Sequence, residues 1–439
     1  MNASPSSPPK KHRRLLPDFS PLRGSRDFRI VYTAETISSV GAMATFVAIP
    51  YQVKVLTGSY VAVGSIGAVE LVPLIVFGLW GGVLADAVDR KKMVLAMELA
   101  MMAASTLLLI NAVLPHPSLW PLYVAAASLA SFSALQSPSF DAVIPRVVPH
   151  EQLGAAASLS VTSRTAAGVI GPGLGGVAAA TFGAQSCYAA DVVSFVISLL
   201  LLVRLSKIET TRDAVRPSLA HLVAGLRFAT SRRDLLGSYV VDLIAMIFAY
   251  PYALFPFVAH RFHQSWVLGA LYAAIPLGAV LAALSSGWSE RIHRFGVAIA
   301  ISAAVWGLAI IGFGAAGNLA LMLLALVIAG AADALSGVFR SRLWNSSIPD
   351  EFRGRLAGIE LLSYSVGPSV GQMRSALVAS ATSLTTSIVS GGVLCVVGSL
   401  SALGVMRDFR VYDDRTDAAT AAVRAARAAQ QNQGGDSNS

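Results

Sequence analysis

The chain of 439 residues is 55% hydrophobic and only 13% charged, with a mean hydropathy of +0.64. Soluble domains carry about 25% charged residues, so this composition excludes a soluble globular protein and describes a chain that crosses a bilayer many times. The net charge of +9 sits in loops and tails, where it reports membrane topology rather than a nucleic-acid surface.

In chain order, residues 1–27 form a Pro/Ser-rich basic tail, expected to be disordered and cytoplasmic. Its basic stretch Lys10–Arg14 precedes an apolar run too long for a signal peptide, and nothing there resembles a cleavage site. Twelve apolar segments follow, at 29–53, 60–83, 92–114, 119–142, 155–181, 185–204, 236–259, 266–288, 296–315, 318–338, 356–380 and 384–405. Each is long enough to cross a core of about 30 Å at 1.5 Å per residue. The expected fold is an all-α polytopic membrane protein. It has a six-helix bundle at 28–205, a central loop at 206–234, a second six-helix bundle at 235–406 and a tail at 407–439.

Within the central loop, Leu219, Leu222 and Leu226 give 218–230 the spacing of a short interfacial helix, with Arg227, Arg232 and Arg233 toward the headgroups. The C-terminal tail is expected to be helical near Ala418–Ala429 and polar beyond. Of the 33 Lys and Arg, 29 lie in the tails and the loops of one side. Only Lys54 and Arg261 fall on the other side, and Arg164 and Arg374 lie within helices. This asymmetry puts both termini and the central loop in the cytoplasm of a chain in the plasma membrane. Cys187 and Cys395 lie in or beside apolar runs with no metal-binding spacing and are expected as free thiols.

The two halves read as repeats. VIGPGLGG in the fifth segment (Gly171-Pro172, Gly175) matches SVGPSVGQ in the eleventh (Gly367-Pro368, Gly371). VVPHEQLGA parallels SIPDEFRGR just before those segments, and GWSERIHRFG after the eighth looks like a degenerate copy of the turn after the second. The three offsets, near 200 residues, agree with two six-helix repeats of the same direction.

That turn, GGVLADAVDRKK (Gly81–Lys92), places two acids and three bases between two membrane-length apolar runs. Its small residues allow a close helix approach, and Asp86 is positioned to accept from a neighbouring helix start or to pair with Arg90. The stretch resembles the loop signature of the major facilitator superfamily, G-x-x-x-D-x-x-G-R-K: Gly82, Asp86, Arg90 and Lys91 match, and Asp89 stands where that pattern has glycine. RTAAGVIGPGLGG resembles the antiporter motif of exporters in the superfamily. Gly171, Pro172, Gly175 and Gly176 match, while Gly168 stands one residue nearer than the first glycine of the pattern. LTGSYVAVGSIG, SFDAVIPRVVPHEQL, ALFPFVAHRF and PDEFRGRLAG extend the resemblance over about residues 20–406, to the branch of bacterial enterobactin exporters and multidrug efflux pumps. Where that branch has Gly-Asp in its first helix, this chain has Gly41-Ala42, so the coupling residue does not carry across.

Each ionisable group inside a helix costs about 2.5–3.5 kcal/mol at mid-membrane. The candidates are Glu35, Glu70, Glu98, Arg164, Asp191, Asp242, Asp333, Glu360 and Arg374. The resemblance implies that helices 1, 4, 7 and 10 line a central cavity. It ranks Glu35, Glu70, Arg164, Asp242 and Asp333 as proton-coupling or substrate residues. The structural alternatives are a Glu35–Arg164 pair, Asp333 bracing Arg340, surface capping or headgroup contact for Glu98 and Asp191, pairing of Glu360 with Arg353 or Arg355, and a structural Arg374.

No nucleotide-binding loop, zinc spacing or nucleophile elbow occurs. No enzyme activity, cofactor or metal is expected, and the energy source is a gradient. A proton crossing ~100 mV gains ~2.3 kcal/mol and a pH unit adds ~1.4 kcal/mol, enough for a gradient of roughly 500-fold. The implied function is proton-coupled export of a small molecule by a monomer in a lipid bilayer through alternating access, with a siderophore or similar metabolite as first substrate class. Broad multidrug efflux is the alternative, followed by a nutrient importer and a non-transporting sensor.

Overall fold

The computed structural model describes residues 18–87, 89–206, 232–348, 350–418 and 420–425, with backbone alone at 79–87 and 350–364. Twelve long helices account for the bundle: α1 (Arg26–Thr57), α2 (Tyr60–Ala87), α3 (Arg90–Val113), α4 (Trp120–Val147), α5 (Leu153–Phe182), α6 (Ala184–Leu202), α7 (Arg233–Phe248), α8 (Ser265–Ser285), α9 (Phe295–Ala315), α10 (Leu319–Ser347), α11 (Asp350–Ala381) and α12 (Leu384–Val405). Among the described residues, ten helices are long and apolar enough to cross a membrane. Large apolar side chains such as Val161, Leu174, Phe182 and Leu284 point outward, as a lipid-facing surface requires.

Helix starts and stops have local causes. Ser25 caps α1 by accepting from the Phe28 N–H, and its own hydroxyl donates to the Val147 carbonyl at the end of α4. Gly58 and Gly183 end α1 and α5 with positive φ, a backbone state that glycine adopts without steric cost. Within the stretch expected to be a disordered tail, Ser20–Gly24 is helical and α1 already begins at Arg26, while residues 1–17 lie outside the described residues.

Several helices outrun their apolar segments. α4 extends to Val147 and α10 to Ser347, so Arg146, Arg340 and Arg342 are carried on helix rather than loop. The seventh segment is broken. α7 stops at Phe248, a short 3-10 turn runs over Tyr252–Leu254, and Phe255–His260 completes the crossing. Pro251 and Pro256 supply the reason, since proline lacks the N–H and clashes with the preceding turn. The expected interfacial helix at 218–230 lies outside the described residues, apart from which Arg232 and Arg233 sit at the start of α7.

The repeat reappears as contacts. A methyl placed on Gly171 would stand 2.5 Å from Met43 Cβ of α1, and one on Gly367 would stand 2.7 Å from Met246 Cβ of α7. The halves meet along two seams, α2 against α11 and α5 against α8. Both seams are built on glycine: Gly64 and Gly67 lie on the α11 backbone, and Gly176 would meet Gly269 Cα at 2.4 Å if it carried a side chain. These approaches lie in the half of the bundle remote from the termini, here the far end; the other is the terminal end.

The tail after α12 packs back on the second bundle. Phe409 is fully buried between Gly237 of α7 and Gly296 of α9. The Tyr412 hydroxyl bonds Ser346 and Ser347 at the end of α10, and Asp414 bonds His293 at 2.8 Å. Residues 418 and 420–425 are helical, in line with the expected segment. Before α7, Arg232 donates to Asp234 at 2.8 Å, and that carboxylate raises the guanidinium pKa above its ordinary value.

Candidate transport cavity

α1, α4 and α5 surround a cavity of about 340 Å³ at the terminal end, lined by Glu35, Ser38, Ser39, Gln136, Phe140 and Arg164 among others. Arg164 is its centre. Its Nε donates to Glu35 Oε1 at 2.6 Å and its Nη2 to Asp141 Oδ1 at 2.8 Å. Arg164 and Asp141 are 46% and 58% exposed and Glu35 only 12%, so one guanidinium links a solvated acid to a sheltered one. A fixed cation shared by two carboxylates can change partner, release one to a proton, or accept an anionic substrate in place of either. The Glu35–Arg164 pair was foreseeable from depth alone. Asp141 was not singled out, because it lies at the end of the fourth apolar segment, where acids are ordinary.

The second bundle arranges its charges differently. Asp242 of α7 pairs with Arg340 of α10, the two side chains being 5% and 4% exposed. Arg340 thus takes Asp242 rather than Asp333 as its ion-pair partner. Asp333 lies two turns back along α10 and feels both charges. Glu70 on α2 makes no hydrogen bond or ion pair among the described residues, and with Asp333 it lies within electrostatic reach of the Tyr250 hydroxyl. Tyr250 sits at the α7 break, which the sequence reading missed, although the Pro251 and Pro256 of AYPYALFP marked it.

The far side of this zone is filled by rings. Tyr250 stacks on Tyr252 at 4.6 Å, Tyr252 meets Tyr272 at 5.7 Å, and Phe46 of α1 stands edge-on to both Tyr252 and Tyr272 at 6.1 Å. Tyr60 and Phe257 close the α2 side at 4.2 Å. Beyond these rings a far-end cavity of about 840 Å³ is bordered by Tyr51, Lys54, His260 and His263.

The motifs hold the frame around the cavity. Asp89, in place of the pattern's glycine, caps α3 by accepting from the Lys91 and Lys92 N–H groups. Arg90 donates to the Ala142 carbonyl inside α4, and Lys91 donates to the Val203 and Leu205 carbonyls at the C-terminal end of α6. Gly82 and Asp86 of α2 and Glu360 of α11 are described in the backbone alone. Gly171 and Gly175 seat α5 on α1, and Gly176 seats it on α8, while Pro172 is buried. Gly168 touches nothing within 4 Å of its missing side chain, so the displaced position carries no close contact.

Arg374 is structural. Its Nη1 donates to the Phe248 carbonyl at 2.7 Å, the orphan end of α7, and to Ser387 O. Trp306 Nε1 takes the next carbonyl, Ala249, at 3.1 Å. Glu98 and Asp191 do not cap helices or meet headgroups. They are 1% and 0% exposed in the interior of the first bundle, where Thr45 and Ser105 donate to Asp191 Oδ2 and Ser198 to Glu98 Oε1. The two cysteines are free and buried.

Two six-helix bundles of one repeat, joined on glycine seams, with a charged cavity inside the first, define a membrane transporter of the major facilitator class. Residues 17–434 match the model of the transmembrane secretion effector family, and the chain belongs to that family. It is 31% identical over 399 residues to the enterobactin exporter of Citrobacter koseri, covering 90% of this chain and 96% of that one. The enterobactin exporter of Salmonella typhi is 28% identical over 413 residues, with 92% and 98% covered. Among solved structures, the nucleoside transporter NupG superposes with a TM-score of 0.70 at 10% identity, over 88% of this chain and 98% of that one. The POT family transporter PepTSo does so with 0.69 at 12%, over 89% and 99%. At such identities these two show the shared fold alone. The relatives are transporters and exporters, not enzymes.

Proposed function

We propose that this exporter moves a siderophore or similar secreted metabolite out of the cell by alternating access, against a flow of protons. The observation that carries the reading is the Arg164 cluster: a guanidinium bridging Glu35 and Asp141 in a cavity that reaches solvent at the terminal end. The Lys/Arg asymmetry assigns that end to the cytoplasm. Anionic substrate and proton then compete at one place. A substrate anion draws Arg164 away from the acids, and protonation of Glu35 or Asp141 frees it. Glu70, Asp242 and Asp333, with Tyr250 between the first and last, form the deeper part of the route. The α5–α8 seam at Gly176 and Gly269 is where the far end parts when the halves rock. The enterobactin exporters among the relatives support a siderophore as substrate class.

The test is metabolite partition in a deletion strain grown with low iron. Loss of one siderophore from the medium with build-up in the cells supports the reading and names the substrate. An unchanged partition removes a dedicated siderophore role. Lowered resistance to several unrelated drugs in the same strain then identifies a broad efflux antiporter.

A further inference from the structure

Two carboxyls lie in the interior of the first bundle, off the cavity. Glu98 on α3 and Asp191 on α6 are nine-tenths buried or more, and Glu98 Oε2 and Asp191 Oδ1 have no hydrogen-bond partner. The groups facing them are neutral on every neighbouring helix among the described residues. α1 offers Ser38 and Thr45, α3 Ser105, α4 Gln136, and α6 Ser194, Ser198 and Cys187. No cation pairs with either acid among those residues, and the Cys187 thiol is turned to the Gly175 carbonyl. An isolated charge in such surroundings is expensive, and a bound proton removes it.

The surroundings are also connected. Ser38 and Gln136 stand beside Glu98, and both line the cavity that holds Glu35 and Arg164. Only one layer of side chains therefore separates Glu98 from cavity water. From there the polar groups continue inward at helical spacing: Ser198, Ser194 and Asp191 on α6, Glu98 and Ser105 on α3, and Ser38 and Thr45 on α1. Gln52 extends the α1 row by two further turns and accepts from the buried Tyr188 hydroxyl at 2.8 Å, toward the far end. Neither acid touches the seams between the halves.

We propose that Glu98 and Asp191 are a proton-binding pair inside the first bundle, filled from the cavity through Ser38 and Gln136 and separate from the path of the substrate. Binding is two simple transfers with no other reactant: a first proton leaves cavity water, binds Glu98 and passes to Asp191 as the Glu98 O–H breaks, and a second proton from cavity water then forms an O–H bond on Glu98. The pair rests on the proton-coupled reading above and adds the place where the proton is held while Arg164 is engaged with substrate.

The test is infrared spectroscopy of the full-length protein in liposomes, which needs no substrate. The wild type should show protonated-carboxyl bands that shift in heavy water and fade as the pH of the medium is raised. Glu98→Gln should remove one and Asp191→Asn another. If those variants fail to fold, Ser198→Ala and Ser105→Ala keep the acids and should shift the same two bands by removing their donors. Gln136→Leu should slow the fading. Bands that survive both acid substitutions, that ignore both serine substitutions, or that persist at every pH the fold tolerates overturn the proposal. Should the deletion strain show no secretion defect while the bands behave as described, the siderophore reading fails and the proton pair stands.

Discussion

The two bundles share a repeat but use charge in opposite ways. In the first, Arg164 is half-exposed and shared between two acids, and the interior beside it holds Glu98 and Asp191 with no counter-charge among the described residues. In the second, Arg340 is buried against Asp242, and the interior holds Arg374 tied to backbone carbonyls. Arginine is charged at any working pH, so Arg340 and Arg374 anchor charge in the second bundle and leave Asp333 to carry a proton there, while the first bundle places its changeable acids together. Equivalent helices have thus kept their packing, as the Gly171–Met43 and Gly367–Met246 contacts show, while dividing the labour of moving charge and anchoring it.

Substitutions can break this contrast, and the largest effect falls in the second bundle. Arg340→Met removes the buried cation that Asp242 pairs with and is expected to cost about 3–5 kcal/mol of stability. Adding Asp242→Leu should recover much of that loss, as thermal unfolding in detergent would record. Arg374→Leu exposes the Phe248 carbonyl at the α7 break to an apolar interior and should cost about 1–3 kcal/mol by the same measurement. Lys91→Ala removes the cation from the end of α6, an effect of about 0.3–1 kcal/mol. Arg164→Ala should change stability by no more than about 1 kcal/mol, because the guanidinium and Asp141 are solvated and the sheltered Glu35 can take a proton from the cavity instead. Yet it should abolish secretion in the complemented deletion strain. A stable, fully active Arg164→Ala protein would erase the contrast between the bundles.

Much of the fold was legible because hydropathy reports depth along a helix and a 200-residue repeat reports connectivity. Direction around a helix is a different matter. Glu98 lies eight residues into α3, about 12 Å along its axis, which reads as near a surface if the helix is taken to start at the apolar boundary. Its burial follows instead from the face it turns to α6, visible only in the spacing of Ser38, Thr45 and Gln52 on α1 with Asp191, Ser194 and Ser198 on α6. The partner of Arg340 was misjudged for the same reason. Asp333 shares its helix, but Asp242 comes from a neighbour that no sequence spacing brings near. Asp141 and the α7 break escaped because hydropathy averages over the residues that interrupt it.

The central claim is that the cavity around Arg164 faces the cytoplasm at rest while the far end is closed by the Phe46, Tyr252 and Tyr272 rings. Ser39→Cys places a thiol on the cavity wall, and the native Cys187 and Cys395 are buried. A membrane-impermeant thiol reagent should label it readily in inverted vesicles and little in intact spheroplasts. Labelling from the outside alone, or equally from both sides, would contradict the account.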